Sequence, residues 1–277
     1  MSLPASIGII GGVGPWVDAL LLRKLLEYQT VLGMRRDQDA IPTLLAQFAA
    51  LIEDRTEYLM SLERGGALEN PAINAARIAR MLAASGARVL GIPCNTFHAG
   101  PIFSRFAQEV AGLTGLPIVH MVQATIADIL AARPEVHRVG ILSTNGTWLH
   151  RIYSAPLEAA ALQAVTLPLE APTAPTQNDV HHAITNTEWG IKSGREAWRG
   201  YPRARAILKA AALRLQQLGA EVAILGCTEI PLALAQADVP DLPLQDPLDS
   251  LAKGLVDAYR AGLTGPPAAP APPLPPA

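Results

Sequence analysis

Cysteine is scarce in this chain, with two in 277 residues. That count excludes a disulfide-stapled scaffold, and without C-x-x-C spacing it leaves no structural zinc motif. Long apolar runs are also missing. No uninterrupted stretch reaches the roughly 18 residues of a membrane span. Neither sign of charge dominates: the formal net charge is −2, so the composition carries no electrostatic footprint for nucleic acid or an anionic membrane. The start, "MSLPASIGIIGG", lacks the basic stretch of a secretory signal, and reduced thiols in the cytoplasm are the expectation. HExxH and GxSxG do not occur, which argues against a metallohydrolase or a serine hydrolase.

What is present reads as a globular α/β protein. Half the residues are hydrophobic and 17% are charged, and the length suffices for one large domain or two lobes. "SIGIIGG", "TLLAQF", "RVLGIP" and "LPIVHM" read as buried strands. Between them, Val17 to Leu32 and the segment opened by Asn70-Pro71 read as helices, the latter ending near Gly86. This alternation predicts mostly parallel sheets flanked by helices. The last residues, "GPPAAPAPPLPPA", suit neither helix nor sheet and are expected to form a disordered tail over 264–277.

The rhythm then repeats. "VGIL" at Val139 resembles "IGII" at Ile7, an offset of 132 residues, and Cys227 follows Cys94 at 133. Two features sharing almost one period suggest an internal duplication into pseudo-symmetric lobes. The division expected is 1–122 with 245–263 returning to it, and 123–244. Each cysteine ends a strand-like run and is followed by threonine and then an expected helix. In parallel sheets, ligands gather beyond the carboxyl ends of strands. If a pseudo-twofold axis relates the lobes, the two sulfurs face one another across a cleft, one on each side of a flat intermediate.

Other candidates are weaker alone. "GGVGP" lacks the third glycine of a dinucleotide motif, and Asp37 and Asp39 precede the second strand. A tight strand-to-helix turn with room for a small ligand is the preferred reading. Arg55 is the natural bidentate partner of a carboxylate and Lys192, between glycines, a strong point charge; either could instead be a solvated surface charge. His98 lies four residues past Cys94, and both packing and tuning of the thiol stay open for it. A lone free cysteine is more often a small buried hydrophobe; the matched placement of two favours chemistry.

The segments "IGIIGGVGP", "RRDQDAIP", "DRTEYL", "GIPCNTFH", "GILSTNGT", "GIKSG" and "AILGCTEIPLAL", in this order over Ile7 to Tyr259, resemble the aspartate/glutamate racemase superfamily, most closely its aspartate racemase branch. The resemblance implies two α/β lobes in a homodimer, an amino acid as substrate, and racemisation without pyridoxal phosphate, metal or any other cofactor. It implies Cys94 and Cys227 as paired acid and base, with Arg55 and Lys192 holding substrate carboxylate. Asn95, Thr96, Thr144 and Thr228 fall at positions that orient the amino acid. Alanines before Glu53, Phe97 after the Cys-Asn-Thr and Asn145 depart from the common pattern and bear on the side-chain pocket. Aspartate is the expected substrate, with Phe97 expected to fill space beside Cys94. The alternatives are a broad-spectrum racemase, a maleate-type dicarboxylate isomerase using a nucleophilic cysteine, and a dicarboxylate-binding module with inert thiols.

Overall fold

Apolar strands that are buried on both faces need helices on either side, and the chain supplies them twice over. The computed structural model describes residues 4–66, 68–173 and 175–264, with side chains to 262. The expected tail lies outside the described residues, apart from residue 264, which closes a helix. The chain forms two compact units. One runs as far as Ala124 and resumes at Leu248; the other is Thr125–Pro247.

The first unit is built on β1 (Ser6–Gly11), all of whose residues are buried. It leads through the glycine turn into α1 (Pro15–Val31), which starts at Pro15 because proline's fixed φ and missing N–H suit a first turn. After β2 (Thr43–Gln47) come α2 (Arg55–Glu63), α3 (Pro71–Ala84), β3 (Ala87–Gly91) and α4 (Gly100–Leu113). The sheet is parallel in the order β2-β1-β3. Asp54 caps α2 by accepting from the Thr56 and Glu57 amides, and Asn70 caps α3 through the Ala72 amide. The unit boundaries fall within α5 (Met121–Ala132) and between Pro247 and Leu248.

"LPIVHM" is not the full strand expected. Only Ile118 bridges to Leu90, through hydrogen bonds from Leu90 N–H to Pro117 O and from Val119 N–H to Leu90 O. The α5 helix begins at Met121 and cuts the run short. An apolar run of this length has no period that separates strand from helix entry.

The second unit repeats the plan with β4 (Arg138–Ser143), α6 (Asn145–Leu149), α7 (Ser154–Ala159), β5 (Gln163–Val165), α8 (Gln177–Thr185), α9 (Pro202–Gln217), β6 (Val222–Gly226) and β7 (Leu244–Gln245). Its sheet is parallel, in the order β5-β4-β6-β7. Strand for strand this is the order of the first unit, with the Ile118 bridge standing where β7 stands. The repeat in the sequence is thus a repeat of topology.

Helix α10 (Pro247–Thr264) returns to the first unit. Leu248, Leu251, Leu255 and Val256 recur at helical spacing and join Ile7, Ile9, Val89, Leu21 and Leu25 in one buried cluster. In the second unit, Leu208, Ala211, Ala212 and Leu215 of α9 pack with Leu142, Ala223 and Leu225 of the sheet. Burial of one such leucine contributes about 2 kcal/mol. Among the described residues, no helix is long and apolar enough to cross a membrane.

Candidate active site

Both cysteines lie just past the strand that pairs with the first strand of their unit, Cys94 after β3 and Cys227 after β6. Both are free thiols and buried, 6% and 7% exposed.

In the first unit, Cys94 N–H closes a three-residue turn onto the Ile92 carbonyl at 2.9 Å. Asn95 and Thr96 follow and are buried. His98 then answers the question left open for it. Its Nε2 accepts from the Met121 amide at 3.2 Å, so Nδ1 carries the proton and donates to the Cys94 carbonyl at 2.9 Å. The ring also stacks on Phe103 and meets His120 edge-on. Burial, then the neighbouring His120, holds His98 well below its ordinary pKa, as a neutral clamp on the backbone that carries Cys94. Burial likewise lowers His120 to about 4.

Arg55 is the first residue of α2 and is buried. Its guanidinium donates to the Val13 carbonyl at 3.0 Å and to Glu53 O at 3.3 Å. It therefore ties the "GGVGP" turn to α2, which packs against the turn Thr96–His98 after Cys94. The reading of Arg55 as a surface charge is excluded by its burial. The glycine turn itself is tight: Gly12 has φ +85°, and a Cβ there would stand 2.5 Å from the Ala49 amide nitrogen. Asp18 completes the turn, accepting from Gly12 N–H at 2.8 Å and from the Gln47 amide at 2.7 Å.

Phe97 is fully buried and edge-on to Phe106 at 5.4 Å. Its ring packs in the interior of the first unit, in the same turn that follows Cys94.

In the second unit, Ser143 of β4 pairs with Gly226 of β6, which sets Thr144 and Cys227 at adjacent strand ends. Thr144 is buried beside Thr147, with the two hydroxyls 3.4 Å apart. Helix α8 braces this turn: Gln177 donates to Ser143 O at 2.8 Å, Asn178 accepts from the Asn145 amide at 2.9 Å, and His181 Nδ1 accepts Asn145 N–H at 3.3 Å. Asn145, a departure from the usual pattern, is thus held in this scaffold.

Cys227 Sγ donates to Glu229 Oε2 at 2.9 Å, and the Thr228 hydroxyl donates to the same oxygen at 3.3 Å. Lys192 Nζ stands 3.7 Å from the other oxygen, Oε1. Glu229 is 4% exposed at its side chain and Lys192 32%. Lys192 is carried by a short turn, Ile191–Ser193, whose entry demands glycine: a Cβ on Gly190 would lie 2.5 Å from Asn186 N. Burial first, and the Glu229 charge second, push the Cys227 thiol well above its ordinary pKa, while Lys192 opposes them. Tyr201 is buried at the start of α9 with a left-handed backbone, φ 52°, and its phenol is pushed up by burial and then by Glu229.

One expectation needs correction, and one residue was missed. Neither cysteine leads directly into a helix that would offer a row of amides. Cys94 is followed by the 3-10 turn Thr96–His98 and Cys227 by Ile230–Leu232. Pro101 and Pro231, each without an N–H, cannot continue a helix begun at the cysteine. Glu229 was not among the candidates. The signal was there: a carboxylate inside "AILGCTEIPLAL" must find donors if that run is buried. Among the described residues, no group of three or more His, Cys, Asp and Glu is placed to hold a metal ion.

Two parallel-sheet units of the same strand order, each with one buried thiol past the matching strand, define a duplicated α/β architecture. The model of the Asp/Glu/Hydantoin racemase family matches residues 10–255, and the chain belongs to that family. Similar solved structures include the aspartate racemase of Picrophilus torridus, at 22% identity and TM-score 0.71 over 92% of this chain and 95% of that one. An aspartate racemase homologue from Pyrococcus horikoshii gives 21% and 0.64, over 92% and 99%. The glutamate racemase of Francisella tularensis in complex with D-glutamate gives 16% and 0.60, over 91% and 80%. At these identities the likeness establishes the shared fold.

Proposed function

We propose that the protein is a cofactor-independent amino-acid racemase in which Cys94 and Cys227 act as paired acid and base, with aspartate as the preferred substrate. The observation that carries the reading is the matched placement of one buried free thiol past β3 and one past β6. In each turnover one thiolate takes the α-proton and the opposite thiol protonates the other face of the carbanion. The surroundings of Cys227 favour its neutral thiol, which suits proton donation. When catalysis runs the other way, Glu229 Oε2 is the group in contact that can take the sulfur's proton and leave a thiolate.

Arg55 and Lys192 hold substrate carboxylates in this reading. Arg55 is oriented for the role by its bond to Val13 O beside the glycine turn. Asn95, Thr96, Thr144 and Thr228, all buried at the strand ends, orient the amino and carboxylate groups. Two cationic side chains favour a substrate with a second carboxylate. A broad-spectrum racemase is the second reading, favoured by the alanines before Glu53, which leave no polar group there to hold a side-chain carboxylate. The homodimer and the cytoplasmic location belong to the same proposal, and sedimentation of the pure protein reads the first.

The test is incubation with a panel of L-amino acids in deuterated water. Deuterium at the α-carbon of both enantiomers of aspartate, ahead of glutamate, is the expected result. Faster exchange of alanine or serine would replace aspartate by the broad-spectrum reading.

A further inference from the structure

Lys192 already has a carboxylate partner within its own unit. Glu229 is enclosed, and each of its oxygens has a distinct neighbour. Oε2 takes the Cys227 thiol and the Thr228 hydroxyl, while Oε1 has the Lys192 ammonium at 3.7 Å. That separation is longer than a direct hydrogen bond, which for N–H···O ends near 3.2 Å. The ammonium is thus an ion-pair partner of Glu229, and a third of its side chain is exposed. Its turn runs between Gly190, seated on Asn186, and Gly194 in the left-handed region at φ +68°.

We propose that Glu229 and the substrate carboxylate compete for Lys192, so that binding hands the ammonium from the protein's carboxylate to the ligand's. The inference rests on the reading of Lys192 as a carboxylate anchor and adds an internal competitor to it. Glu229 thereby sets affinity and specificity as well as contacting Cys227. A carboxylate ligand must displace an existing pair, whereas a ligand without that carboxylate leaves Lys192 on Glu229. The resting pair also gives the enclosed Glu229 a countercharge until a ligand arrives, which an uncompensated buried carboxylate would lack.

The test is equilibrium binding of succinate, a dicarboxylate with no α-amino group and no stereocentre to invert. Isothermal titration is run on the full chain as wild type, Glu229→Gln, Lys192→Met and the double variant. Glutamine keeps the shape of Glu229 and an acceptor for the thiol. Its expected effect is succinate binding about three- to tenfold tighter, the range of a modest ion pair. Lys192→Met changes a partly exposed side chain and weakens succinate by about tenfold or more. In the double variant, affinity matches Lys192→Met alone, because the competitor acts only through the ammonium. Unchanged or weaker binding in Glu229→Gln overturns the inference. So does equal tightening in the Lys192→Met background, which would mark simple repulsion, and so does failure of all four proteins to bind succinate. Deuterium exchange by the wild type reads the racemase proposal separately, so the two can fail independently.

Discussion

Glu229 makes the two thiols chemically unlike. Its charge and its contact with Sγ help to keep Cys227 protonated, after burial itself. Glu229→Gln removes the charge and keeps an acceptor for the thiol. In a Cys94→Ser background, iodoacetamide should therefore alkylate Cys227 several-fold faster at pH 8; an unchanged or slower rate would mean that the carboxylate does not set the thiol's ionisation. The raised pKa has a stability consequence of fixed sign. Folding favours the thiol, so this contribution is complete below the ordinary thiol range and is lost as pH rises through the elevated value. Arg55 is the second residue on which the reading turns. An ammonium cannot reproduce the planar fork that reaches Val13 O and Glu53 O. Arg55→Lys should lower kcat/KM on the best substrate by about tenfold or more, and full retention would remove Arg55 from the site. Glu229 itself could be read from the buried run that holds it, but its pairing could not, since Lys192 is distant in sequence and only the fold brings them together.

The elements were largely legible, and the errors have physical causes. β1, β3, β4 and β6 are short apolar runs buried throughout or nearly so, and the caps Asn70-Pro71 and Asp54 mark helix starts. "LPIVHM" misled because hydrophobicity alone does not distinguish a one-residue bridge from a strand. A 3-10 turn follows each cysteine first; after Cys94 the expected helix then comes as α4, with Pro101 in its first turn, whereas Cys227 is followed by Ile230–Leu232 alone before the next 3-10 turn. The glycine turn after β1 is the element on which the first half-site rests. Gly12→Ala would force a Cβ into the backbone of Ala49 at a positive φ. It should destabilise the protein by about 2 kcal/mol or more, read as a lower midpoint in urea with m unchanged. A midpoint equal to wild type would show that the turn yields freely.

For the whole molecule, duplication explains why two cysteines occur in matched settings, and it was legible from two offsets in the sequence. The first unit carries two buried histidines whose titration couples stability to acid. His98 and His120 fold with depressed pKa values, His120 at about 4, so the unfolded chain binds protons near pH 6.5 that the folded chain refuses. Their contribution is present above pH 6.5 and is lost as pH falls toward 4. The melting temperature should drop across that window, and His98→Gln should flatten the slope; a slope identical to wild type would place acid sensitivity elsewhere.

The two-thiol claim itself has a direct measurement. L-aspartate is incubated in deuterated water with wild type, Cys94→Ser and Cys227→Ser, and the α-proton is followed by NMR alongside chiral separation. The account predicts D-aspartate labelled at the α-carbon with the wild type and loss of racemisation in each serine variant, because a hydroxyl is too weak an acid and base for either role. Near-wild-type turnover in either variant would contradict it.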